Sequence, residues 1–157
     1  MSEGCNRYWK GELMKVLELF AGTRSIGKAF EARGHEVFSV DWNKGFENID
    51  LYADISTLTA QDIIEKFGYP DVIHLSPDCT SYSIAGISHH RKKNPETGNL
   101  DPVSDYAKFC DETNKHCLQL LEELKPTYWF IENPRGVKED VIYARIAKIY
   151  SYVLQVW

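Results

Sequence analysis

Three short runs in this chain carry side chains able to do chemistry, and each follows an apolar segment. Cys79 lies in Leu75-Ser76-Pro77-Asp78-Cys79-Thr80-Ser81-Tyr82-Ser83, directly after Asp71-Val72-Ile73-His74-Leu75. Upstream, Val16-Leu17-Glu18-Leu19-Phe20 runs into Ala21-Gly22-Thr23-Arg24-Ser25-Ile26-Gly27. Downstream, Tyr128-Trp129-Phe130-Ile131 runs into Glu132-Asn133-Pro134-Arg135-Gly136. A thiolate is a strong nucleophile, a carboxylic acid can deliver a proton, and a turn of small residues lets backbone approach a ligand. Open α/β sheets gather ligands at the C-terminal tips of their strands. Together the three runs suggest a nucleophile, an acid and a cofactor cradle.

The intervening sequence supplies elements to hold these tips. Apolar strand-like runs alternate with helical stripes, the pattern of a mainly parallel sheet with helices on both faces. The first strand is expected over about Lys15 to Phe20, after a polar lead-in. Ser25 is placed to cap a helix presenting Ile26, Ala29 and Phe30 and ending near Gly34. The second strand, Glu36-Val37-Phe38-Ser39-Val40, ends at Asp41. A short third strand ends at Asp54. Thr57 precedes a helix carrying Leu58, Ile63, Ile64 and Phe67, closed by Gly68 and Pro70. After the Cys79 strand, Val103, Tyr106, Ala107, Cys110, Cys117, Leu118, Leu121 and Leu124 form a sustained helical stripe ended by Pro126.

Asp41 follows Gly22 by about 20 residues, the offset of an acid that binds ribose hydroxyls in a nucleotide-binding βαβ unit. Asp54 ends the next strand. Both also suit a plain turn-forming role, since Asp is common where strands end.

Composition narrows the class. At 157 residues, 43% hydrophobic and 26% charged, the chain is one globular domain able to bury a core. No apolar run approaches membrane-spanning length and the first residues do not resemble a signal peptide, so a cytoplasmic location is expected. The four cysteines, Cys5, Cys79, Cys110 and Cys117, form no Cys-x-x-Cys pair and read as reduced thiols, with no metal site expected. The net charge of −5 argues against tight nucleic-acid binding through overall charge. The one concentrated basic run, His89-His90-Arg91-Lys92-Lys93, sits in a polar stretch reaching to about Pro102. It reads either as a solvated loop or as a mobile loop whose Arg and Lys meet phosphates.

Glu18-Leu19-Phe20-Ala21-Gly22, Pro77-Asp78-Cys79 and Glu132-Asn133 resemble, in order and spacing, three motifs of the DNA (cytosine-5)-methyltransferases, especially the short phage-type members. The resemblance covers residues 14 to 136. It implies a Rossmann-like, S-adenosylmethionine-dependent methyltransferase domain that methylates C5 of cytosine in DNA through a covalent cysteine adduct. By the same resemblance Cys79 is the nucleophile and Glu132 the acid near N3, with Asn133 supporting them. Glu18, Phe20, Ala21, Gly22, Thr23, Ser25, Ile26, Asp41, Trp42, Asp54, Ile55, Ser76 and Pro77 are expected around the cofactor. Asp41 would hold the ribose and Asp54 would face the adenine amino group. Arg91, Lys92, Lys93 and Arg135 are expected at DNA. Three departures stand out: Arg24 replaces the motif's second glycine, Asp78 the second proline before the cysteine, and Pro134 the usual valine.

After Gly136 the resemblance breaks. Read one nucleotide later from Lys138, back-translated codons can restore the family's pattern, so residues 137–157 are expected to be a divergent, out-of-frame tail following a catalytic part over 1–136. Two other functions stay open: methylation of a free nucleotide, which the acidic net charge favours, and a non-catalytic fragment or accessory domain that binds S-adenosylmethionine, which the break in the resemblance after Gly136 favours.

Overall fold

The computed structural model describes residues 12–132. The expectations placed on Asn133, Arg135 and residues 137–157 fall outside the described residues. Among the described residues the chain divides into two compact units, one formed by residues 12–76 with Cys117–Ile131, the other by Pro77–His116 with Glu132.

In chain order the first unit contains β1 (Lys15–Leu19), α1 (Ser25–Glu31), β2 (Glu36–Asp41), β3 (Leu51–Tyr52), α2 (Ala60–Lys66) and β4 (Val72–Leu75). The second contains α3 (Ile87–His90), β5 (Arg91–Lys93) and β6 (Leu100–Pro102). Helix α4 (Asp105–Leu124) starts in the second unit and ends in the first, where β7 (Tyr128–Ile131) follows.

The first unit is a five-stranded parallel sheet in the order β3-β2-β1-β4-β7. Strands are added outward on one side through β3 and then on the other from β4, so the order reverses between β1 and β4, where open α/β sheets form their ligand crevice. Side chains alternate between the faces. Leu17, Leu19, Val40, Ile73 and Leu75 pack with Ile63 and Phe67 of α2 and with Cys117, Leu120, Leu121 and Leu124 of α4. Fully burying each such side chain contributes roughly 1.5–3 kcal/mol. The opposite face carries Glu18, Ser39 and His74, and α1 lies against it. The doubly wound sheet expected from the alternation of elements is therefore present.

Local chemistry sets the ends of the elements. Helix α2 begins at Thr59, whose side chain accepts the Asp62 N–H while the Asp62 carboxylate accepts the Thr59 N–H, a reciprocal capping box. Thr57, expected before this helix, instead closes a one-turn 3-10 helix over Ile55–Thr57. Helix α1 differs more. Its N-cap is Arg24, not Ser25, and no side chain caps it. Its buried residue is Gly27, whereas Ile26 and Ala29 are exposed. A Cβ on Gly27 would collide with the Glu18 carboxylate and meet Val37 at 3.1 Å, so the helix comes close to the sheet only because this position has no side chain.

In the second unit, the stretch read as loop up to Pro102 is structured. A two-stranded antiparallel ladder pairs Arg91 with Pro102, Lys92 with Asp101 and Lys93 with Leu100. Asn94 organises the reversal, accepting the Glu96 N–H at 2.9 Å and donating to Asp101 at 2.7 Å. Alternation over three-residue strands is too short to be legible in sequence.

Candidate functional site

The small-residue turn leaves β1 through two left-handed residues, Phe20 (φ 58°) and Gly22 (φ 52°). Several bonds hold it. The Asp41 carboxylate at the end of β2 accepts the Gly22 N–H at 2.9 Å and the Asn43 N–H at 2.8 Å. The Ala21 N–H donates to the Val40 carbonyl at 3.1 Å. The Ser76 hydroxyl, just past β4, donates to the Phe20 carbonyl at 3.1 Å. The turn is thereby pinned from both neighbouring strands at the point where strand order reverses. Around Gly22 there is room: a Cβ there would meet only the Phe46 ring edge, at 3.8 Å. The Trp42 ring is 68% exposed beside Asp41. Phe46 had no motif to mark it, and sequence reasoning missed it; it reaches this position on a loop whose Phe46 carbonyl accepts the Tyr52 hydroxyl at 2.6 Å.

Arg24 adopts φ 59°, a conformation glycine takes freely and other residues rarely do. Its guanidinium is buried and ion-paired with Glu31. The departure from the motif's glycine thus keeps the glycine's backbone and adds a local ion pair. Glu18 is 2% exposed and faces the backbone of Ile26 and Gly27. Burial raises its pKa, an effect the Gly27 backbone and Arg24 partly offset. Its carboxylate braces α1 against β1. Thr23 and Ser25 bond each other through their hydroxyls at 3.0 Å. Asp54 is exposed and caps the 3-10 helix by accepting the Ser56 N–H at 2.9 Å. The Ile55 side chain lies in the core, which leaves only its backbone for a ligand.

In the second unit, Cys79 N-caps a 3-10 turn over Thr80–Tyr82 and is part-exposed. Asp78 Oδ1 accepts the Thr80 N–H at 2.8 Å. Pro77 is buried. The other two described cysteines, Cys110 and Cys117, are buried, and burial pushes the Cys110 thiol up, as suits a structural residue. Of the basic residues, Lys92 and Lys93 are exposed on β5, but Arg91 is 5% exposed. Its guanidinium forks onto Asp111, at 2.5 and 3.2 Å, and donates to the Ser81 carbonyl at 3.1 Å. Arg91 therefore spends its donors inside the protein, and the exposed charge of the run is that of Lys92 and Lys93.

Leu75 at the end of β4 pairs with Ile131 at the end of β7. The Cys79 turn leaves the first of these strands and exposed Glu132 directly follows the second. Among the described residues no cluster of His, Cys, Asp and Glu forms a metal site, and no helix is long and apolar enough to cross a membrane.

The fold is similar to that of the S. pombe Dnmt2 methyltransferase, with a TM-score of 0.56 and 19% identity over 87% of this chain. The match spans 39% of that protein's chain. No curated protein matches. The family model for C-5 cytosine-specific DNA methylase matches residues 14–152, nearly the whole chain. The chain belongs to the C-5 cytosine-specific DNA methylase family.

Proposed function

We propose that this chain is the cofactor-binding and nucleophile-bearing part of a DNA cytosine-5 methyltransferase that uses S-adenosylmethionine. One observation carries most of the reading. The three motif-bearing strands are parallel neighbours in the order β1-β4-β7, and each motif follows its strand in the chain, Gly22 after β1, Cys79 after β4 and Glu132 after β7.

The first unit suits a nucleoside-bearing cofactor. The turn at Gly22 leaves room for a side-chain-sized group in contact with the Phe46 ring edge, a buried carboxylate stands next to it at Asp41, and Trp42 offers an exposed ring. The residues present therefore fit S-adenosylmethionine, held by Phe20 to Gly22, Asp41, Trp42 and the backbone near Asp54 and Ile55. When bound, that group supplies an electrophilic methyl on a sulfonium.

Cytosine C5 is a poor nucleophile until C6 carries an added group. Cys79, as thiolate, adds to C6, while Glu132, as the acid, delivers a proton at N3, so C5 becomes enamine-like. After methyl transfer, a water base removes the C5 proton, the C6–S bond breaks to release the thiolate, and the N3 proton returns to the Glu132 carboxylate, which restores the ring. The base must leave the duplex for the thiol to reach C6. Lys92 and Lys93 are suited to backbone phosphates.

DNA carrying 5-fluorocytosine tests this, because fluorine at C5 blocks the final elimination and leaves protein and DNA joined. Covalent trapping should be lost in Cys79→Ser, slowed strongly in Glu132→Gln and retained in Cys117→Ala. Trapping that survives Cys79→Ser would overturn the assignment of the nucleophile.

A further inference from the structure

The N-terminal half of α4 presents a row of polar side chains to the turn that carries Cys79, and the contacts run in step along it. The Tyr106 hydroxyl bonds Asp78, Thr80 and the Cys110 thiol. Cys110 bonds Ser81. Asp111 accepts the Tyr82 hydroxyl and the Arg91 fork. Asn114 donates to the Tyr82 oxygen at 2.7 Å. Successive residues of the turn thus meet successive turns of the helix, as the spacing 106, 110, 111, 114 on one helical face allows. Arg91 also lies over the Tyr82 ring, 4.1 Å from its centre, and donates to the Leu100 carbonyl, which ties the β5–β6 ladder to the same point. Tyr82, Ser81, Arg91 and Asn114 are all buried. Buried polar networks of this kind are costly unless satisfied, and satisfied they impose one geometry.

We propose that Tyr106 and Arg91 are positioning residues that fasten residues 78–82 to α4, so that the turn bearing Cys79 is set before substrate arrives. The proposal rests on the reading of Cys79 as the nucleophile and adds how its turn is held. It also accounts for Asp78 beside a thiol. A free carboxylate there would oppose thiolate formation. Here the Thr80 N–H at 2.8 Å and the Tyr106 hydroxyl bond that carboxylate, and their dipoles screen part of its charge from the thiol. Arg91 acts through shape: its planar fork reaches Asp111 and Ser81 together, which a lysine cannot do.

The test uses the full 157-residue chain and follows iodoacetamide capture of Cys79 by peptide mass spectrometry from about pH 6 to about pH 10. Tyr106→Phe removes one hydroxyl from a part-exposed ring. Its Cys79 profile should shift to higher pH, with capture about threefold slower near neutrality and equal to the unsubstituted chain at the alkaline end. A merely loosened turn would instead speed capture at every pH. Arg91→Lys should do just that, by several-fold, with Cys117 still protected. An unmoved pH profile in Tyr106→Phe overturns the proposal, as does an unmoved rate in a folded Arg91→Lys; if Arg91→Lys does not fold, Tyr106→Phe decides alone. Trapping on 5-fluorocytosine DNA reads the cytosine chemistry separately. A chain that never traps, yet shows both capture effects, keeps the fastening and loses the substrate.

Discussion

The Asp41 carboxylate accepts the Gly22 N–H at 2.9 Å, joining the end of β2 to the turn that follows β1. The acid is thereby committed to shaping the turn as well as standing at its rim. Its second oxygen takes the Asn43 N–H, so the carboxylate also directs the chain past Trp42. Asp41→Asn should lower stability by about 1–3 kcal/mol, because one buried oxygen becomes an amide donor facing an N–H. Gly22→Ala should cost about 1–2 kcal/mol through its left-handed backbone, since only Phe46 lies near the added methyl. Urea unfolding checks both. Under the proposed function, calorimetry with S-adenosylhomocysteine should show weaker binding in each; full affinity in Asp41→Asn would remove Asp41 from the proposed cofactor site.

Arg24 and Glu31 make a second compensated pair. Arg24 holds a left-handed backbone and returns part of that cost through the ion pair. Arg24→Gly should therefore change stability by less than about 1 kcal/mol, the relieved backbone offsetting the lost pair. Glu31→Gln should destabilise the unsubstituted chain slightly and the Arg24→Gly chain not at all. A double-mutant cycle in urea measures the difference, and a large loss in Arg24→Gly would show that the side chain, not the backbone, governs this turn.

His74 gives the fold an acid limit. It lies on β4 beside Glu18, and burial lowers its pKa from the ordinary 6.5. The folded state thus binds its proton less readily than the unfolded chain. Its contribution is fully present above about pH 6.5 and is lost as pH falls through the unfolded and then the folded value. Stability measured against pH should decline on the acid side of that value, and His74→Gln should flatten that part of the curve. An unchanged slope would place the acid sensitivity elsewhere.

Lys92 and Lys93 point outward from β5 while Arg91 points in. If the ladder meets DNA phosphates, Lys92→Ala and Lys93→Ala should each weaken binding and reduce the slope of log affinity against log salt by about one. Fluorescence anisotropy over a salt series reads this. Equal slopes in the double variant would remove the ladder from the DNA interface.

The sequence by itself determined the sheet and the order of its strands' chemistry. Apolar runs long enough to be buried on both faces, each followed by a small residue, a thiol or a carboxylate, already implied parallel strands with a site at their tips, and the motif order identified the family. Tertiary structure decided what local pattern could not. The stripe Ile26, Ala29 and Phe30 suggested the buried face of α1, but close approach to the Glu18 carboxylate required Gly27 there instead. The run at Arg91 read as uniformly basic, because charge in sequence carries no direction. Whether a guanidinium faces solvent or a part-buried carboxylate depends on a partner about two helical turns' worth of chain and a hairpin away, at Asp111. Phe46 carried no motif, and its place over Gly22 follows from how its loop returns to β3. Strand and motif are properties of neighbouring residues, which is why they were legible; the partners of Asp41, Arg91 and Tyr106 are distant in sequence, and only the folded chain brings them together.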